Sequence, residues 1–243
     1  MPRSLLPHLV AAVVLATAAL AQETRPPVPP GRDPGGLAVA VVGGGLDYTL
    51  PRLAQRLARD GEGELIGWDL EHNDRRPHGK AGSGTDMGVA SLVLEMDGVR
   101  LVPVRLKTAD PTSAARAVAF SAHTPARVVL LPLTTTPPAA WEPVLQAATR
   151  FKAVLLILPA DAAAAVPALL GLDNVVAVEP VVEAADVAAL DGTSQRLAGP
   201  LLAVAAAGRA AAGLLVREPR LDAGALKRRL IEAGGSGHWR VRS

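Results

Sequence analysis

From residue 37 onward, short apolar runs alternate with amphipathic segments. Runs rich in Val, Leu, Ile and Ala at 37–42, 64–69, 100–105, 127–133, 153–158 and 174–182 predict strands. Several are apolar at nearly every position, as strands covered on both faces must be. Between them, 51–59, 85–96, 111–122, 138–150 and 195–215 carry a helical pattern. A last helix is expected at 222–233, with Asp222 as its N-cap and Gly234 as its stop. Strand–helix alternation of this kind predicts an α/β chain: a mostly parallel central sheet with helices on both faces.

The two ends follow other patterns. Arg3, an apolar run over 9–20, and Ala19, Leu20 and Ala21 as a cleavage site read as a signal peptide over 1–21. The run is shorter than the about 20 apolar residues that span a bilayer, so no integral membrane association is expected after cleavage. An uncleaved anchor is the alternative. Residues 22–36 contain Pro26, Pro27, Pro29, Pro30 and Pro34 and are expected to be a proline-rich linker. The folded domain is then 37–234, and 235–243 is expected to be a flexible tail. A secreted or periplasmic protein follows from this layout.

Composition narrows the chemistry. With no cysteine, the chain has no disulfide, thiol nucleophile or thiolate metal site. The histidines show no metal-ligand spacing, so no metal is expected. The formal net charge is +2, and three Trp, two Phe and one Tyr are the only aromatics. The one basic block, Lys227, Arg228 and Arg229, falls in a helical pattern as a solvated face. Nucleic acid is therefore not an expected partner.

Three segments carry the candidate chemistry. They are VVGGGLD at 41–47, GSGTDMGVA at 82–90 and GTS at 192–194. In this order they resemble the three active-site segments of the subtilisin-like serine peptidases (peptidase S8), whose triad runs Asp, His, Ser along the chain. The resemblance spans about 37–234. It includes Gly67, Trp68 and Asp69 before the second segment, the 101–105 stretch LVPVR, and Arg217, Glu218 and Pro219 before the last helix. It implies a subtilisin-like three-layer sandwich.

Set against the family's pattern, the triad is broken. Gly43 stands at the Asp position, and Asp47 matches that motif's second acid. Ser83 stands at the base position, and Asp86 at the motif's second histidine. Ser194 holds the nucleophile position if two residues are inserted before Pro200; without that insertion Arg196 fills it. Asp161 stands at the oxyanion Asn position, and Pro132 and Thr134 fall in the strand that pairs with substrate. Glycine cannot orient an imidazole, and a serine cannot serve as general base near pH 7. An anionic Asp161 would repel an oxyanion, and Pro132 has no N–H for strand addition.

The resemblance thus implies an exported domain with a degraded Asp-His-Ser triad, a non-catalytic binding or scaffold protein for an unidentified protein or peptide, with no cofactor. The alternative is an active serine endopeptidase with a rearranged site, built for example from Ser194, His78 and Asp47. Simpler roles exist for these residues: His78 as a solvated loop residue, Asp47 and Asp86 as turn or helix caps, and Ser194 as a helix N-cap. A third reading takes Gly43, Gly44 and Gly45 with Asp69 as a dinucleotide fingerprint, but Tyr48 stands where its last glycine belongs.

Overall fold

Valine and leucine on both sides of consecutive strands require cover on both faces, and the chain provides it. A computed structural model describes residues 25–79, 84–134, 137–235 and 237–242. The expected leader over 1–21 and Ser83 lie outside them. The strands are β1 (Leu37–Gly43), β2 (Trp68–Asp69), β3 (Val99–Arg105), β4 (Ala126–Leu130), β5 (Leu155–Pro159) and β6 (Val175–Pro180). They form one parallel sheet in the order β2-β3-β1-β4-β5-β6.

Alternate residues feed two cores. Val39 and Val41 of β1, Leu101 of β3 and Leu130 of β4 face one, with α2 (Gly84–Leu94), α6 (Gly199–Arg217) and α7 (Ala223–Glu232). Ala40 and Val42 of β1, Val102 of β3 and Val129 of β4 face the other. That side is covered by α3 (Ser113–Ala122), α4 (Trp141–Arg150) and α5 (Ala160–Ala165). Sheet and two helical layers make the expected α/β sandwich. Helix α6 is long and apolar enough to cross a membrane by composition, but most of it is buried here as a core helix.

Three elements differ from expectation. The helix expected at 51–59 stops early as α1 (Pro51–Ala54), because the next residues turn to the sheet: Ala58 N–H donates to Leu101 O at 2.8 Å. The strand expected at 64–69 shrinks to β2, its earlier part making bridges such as Arg59 with Leu65. The helix expected from 195 begins at Gly199. Residues before it form β8 (Ser194–Ala198), antiparallel to β7 (Ala184–Ala188). The cause is local. Gly192 has φ +87°, Asp191 caps the turn by accepting from Thr193 N–H at 2.9 Å, and Leu197 is buried while Arg196 and Ala198 are exposed. Pro200 then opens α6.

The two ends differ as well. Residues 239–241, placed in a flexible tail by composition, form β9 (Trp239–Val241), antiparallel to β6. Trp239 supplies the reason: its side chain is buried in the first core. The described part of the proline-rich stretch, 25–36, does not stand clear as a spacer. It lies against the domain, with Asp33 accepting from Arg59 N–H and pairing with Arg100.

Candidate active site

The glycine turn at the C-terminal end of β1 is the centre of the region. Gly43 ends the strand, and a Cβ built on it would lie 2.7 Å from Cγ of Asp86. Gly44 N–H donates to Asp86 Oδ2 at 2.5 Å. Asp86 belongs to the first turn of α2 and is buried. Burial pushes its carboxyl up from 3.8 to about 6, against the opposing hydrogen bond from Gly44. The side-chain space at position 43 is therefore filled by an acid from a different element.

Gly45 carries the chain onward with φ +98°. A side chain there would meet Gly79 N at 2.7 Å and Pro77 O at 2.8 Å, so glycine is required by both backbone and space. That close approach lets Leu46 pair with the 77–79 segment: Leu46 N–H donates to Pro77 O at 3.1 Å and Gly79 N–H to Leu46 O at 3.2 Å. The pairing brings His78 beside Asp47, with Nε2 3.4 Å from Oδ1. Tyr48 meets the His78 ring edge-on at 5.0 Å. Asp47 also caps its own turn by accepting from Thr49 N–H at 3.1 Å.

Ser194 is elsewhere in the arrangement. It opens β8 opposite Ala188 and is exposed. Its hydroxyl makes no hydrogen bond to His78 or Asp47. The N-cap of α6 is Ala198, so Ser194 does not cap that helix. Arg196 is exposed and lies 3.7 Å from Asp186 of β7. Asp161 sits in the first turn of α5 and is exposed. Pro132 follows β4, where Leu131 N–H donates to Ile157 O at 2.9 Å. The structure thus joins Asp47 to His78 and Gly43 to Asp86, and leaves Ser194 and Asp161 outside both pairs.

A second polar cluster lies at the ends of β2 and β3. Asp69 is fully buried and accepts from His72 Nδ1 at 2.9 Å, Glu71 N–H at 2.8 Å and Arg105 Nη1 at 3.2 Å. Burial alone would raise this carboxyl, but hydrogen bonds from His72 and the charge of Arg105 hold it below its ordinary value. Asp69 is thus held by side chains and backbone amides together, and Gly44 N–H by Asp86.

The sequence marks Asp86 as a helix-terminal acid at the motif's second histidine position, not as the occupant of the space at Gly43. The available signal was the glycine pair 43 and 44, which vacates a volume at the end of a strand that some other side chain must fill.

The fold is subtilisin-like. Solved structures with this arrangement include a cold adapted subtilisin-like serine proteinase, at TM-score 0.55 and 15% identity over 85% of this chain and 84% of that one. The nisin leader peptidase NisP from Lactococcus lactis matches at TM-score 0.55 and 11% identity, covering 93% and 95%. Sphericase matches at TM-score 0.55 and 14% identity, covering 89% and 87%. No protein-family model matches the sequence. No curated protein matches it in sequence either.

Proposed function

We propose that this chain is an exported subtilisin-like domain that binds a protein or peptide partner without cleaving it. The observation that carries the reading is the filled space at Gly43. A seryl hydroxyl needs an imidazole to take its proton, and the imidazole needs an acid to orient it. Here the acid's slot is a glycine packed against Asp86. The family's base position is Ser83, and Ser194 sits on a hairpin strand. In subtilisin itself, loss of the triad costs about 10⁶ in turnover. Loss of the oxyanion asparagine, where this chain has Asp161, costs about 3–4 kcal/mol there.

The Asp47–His78 pair supports a second reading, an endopeptidase with a rearranged site. An imidazole with a carboxylate at 3.4 Å is half of a nucleophile-activating relay. The two readings separate on one measurement. Purified protein is incubated with a fluorophosphonate probe and, separately, with casein. The binding reading expects no labelling and intact casein. Labelling that disappears in Ser194→Ala, together with casein loss, overturns it. Export is tested by N-terminal sequencing of protein recovered outside the cytoplasm, which is expected to begin at Gln22.

A further inference from the structure

Residues 25–31 read RPPVPPG. Each proline fixes its own φ and pushes the residue before it into extended backbone, which sets this stretch as a polyproline II helix with three residues per turn. It forms neither helix nor strand. Its contacts repeat with that period of three. Arg25 enters between two carboxylates, with Nη1 2.9 Å from Asp69 Oδ2 and Nη2 2.6 Å from Asp74 Oδ2. Val28 packs against the first core. Gly31 lies on the guanidinium of Arg59, where a Cβ would come within 2.8 Å of Nε. Pro27 and Pro30, on another side, are exposed. The carbonyls of Pro26 and Pro29, also three apart, accept from the Tyr48 hydroxyl at 2.7 Å and from Arg59 Nη2 at 2.8 Å.

The groove's polar groups are held by residues outside the segment. Asp69 is fixed by His72 and Arg105, and Asp74 Oδ1 accepts from Arg76 N–H at 2.8 Å. Tyr48 is fully buried, and its hydroxyl donates to a carbonyl of the segment. Without an occupant, that hydroxyl exchanges a fixed carbonyl acceptor for water. A guanidinium fork fits two carboxylates in a way that an ammonium point charge does not.

We infer that the groove formed by Asp69, Asp74, Tyr48 and Arg59 is a recognition site for arginine-led polyproline II segments. Its pattern is arginine, an apolar residue three positions on and glycine six positions on. The chain's own residues 25–31 fill it in cis. The occupant in trans is a partner protein carrying a segment of this kind, which must displace a tethered competitor present at millimolar effective concentration. The inference rests on reading the protein as a binder and names the class of partner.

The test uses the purified full protein and a fluorescent, N-terminally acetylated peptide with the sequence of residues 25–31, read by polarisation. Arg25→Ala, which loosens the cis segment, is expected to bind the peptide at least tenfold more tightly than the wild type. Replacing the peptide's arginine by lysine is expected to weaken binding at least tenfold, and adding Asp74→Ala to the protein to abolish it. Arg25→Lys serves as a second loosened variant should Arg25→Ala lose its circular dichroism signal. A folded variant that binds no peptide, or binds the arginine and lysine peptides alike, overturns the inference and leaves the non-cleaving reading standing. Peptide recovered cleaved after specific binding keeps the groove and overturns the non-cleaving reading.

Discussion

The carboxyl of Asp86 stands where a side chain on Gly43 would stand. Its Cγ is 2.7 Å from the position a Cβ on Gly43 would take, and its Oδ2 accepts from Gly44 N–H. A helix has supplied an acid to a strand end that has none. Burial, opposed by the hydrogen bond from Gly44, makes this acid hard to ionise.

Stability should therefore fall as pH rises through the titration of Asp86. The folded chain binds this proton more tightly than the unfolded chain, with the carboxyl raised from 3.8 to about 6. The resulting stabilisation is complete below about pH 4 and is lost as pH passes about 6, a difference of about 3 kcal/mol. Asp86→Asn keeps an acceptor for Gly44 and removes the proton. Its melting temperature should exceed the wild type's by several degrees at pH 7 and match it near pH 4. Parallel pH profiles for the two proteins would rule this out.

Placing an acid at position 43 alone should harm the fold. Gly43→Asp places a Cβ within 2.7 Å of Asp86 Cγ and a second carboxylate beside the first. A loss of about 2–3 kcal/mol in urea denaturation is expected. Combined with Asp86→Ala, much of that loss should vanish, since the two substitutions share one volume. Strict additivity would mean the two side chains do not compete.

Asp69 should behave oppositely with pH. Its carboxyl is held below its ordinary value of 3.8, so its contribution is present at neutral pH and lost as pH falls through that range. Asp69→Asn leaves Arg105 and Arg25 without a buried anion. It should cost about 3–5 kcal/mol at pH 7, measured by denaturant unfolding, with a smaller loss near pH 3. Arg25→Ala, at a partly exposed position, should cost less.

Two glycines in helices should respond in opposite directions. A Cβ on Gly208 of α6 would lie 2.7 Å from both terminal methyls of Leu130, which is fully buried. Gly208→Val should cost about 1–3 kcal/mol. On Gly224 of α7 the nearest atoms are 3.6 Å away. Gly224→Ala should therefore gain about 0.5 kcal/mol through the unfolded chain's lost freedom. Thermal unfolding of both variants decides.

The strands buried on both faces were the most legible part of the sequence, because Val39, Val128 and Ile157 and their neighbours leave no polar face. Helix ends were legible where a cap carried them, as at Asp222, which accepts from Ala225 N–H at 2.7 Å. The boundary at 195–198 was not. Burial alternates along Arg196, Leu197 and Ala198, but the residue types Gln, Arg, Leu and Ala do not, and they run directly into an apolar helix whose pattern masks the short strand. Trp239 was missed for a related reason: three residues are too few to show a period, and only the docked edge of β6 gives them meaning. At the site, each departure from the subtilisin-like motif pattern was readable one position at a time. The replacement of a side chain at 43 by Asp86, 43 residues further on, is a tertiary event that no local pattern encodes.

The strand β9 protects the molecule from its own kind. A parallel sheet ending at β6 would present a row of unpaired amides and carbonyls to solvent, a template for joining other chains edge to edge. The short β9 covers that border, and at the far side β2 spans only Trp68–Asp69. Chains clipped at Gly235 should accordingly form insoluble assemblies well before they lose their helices.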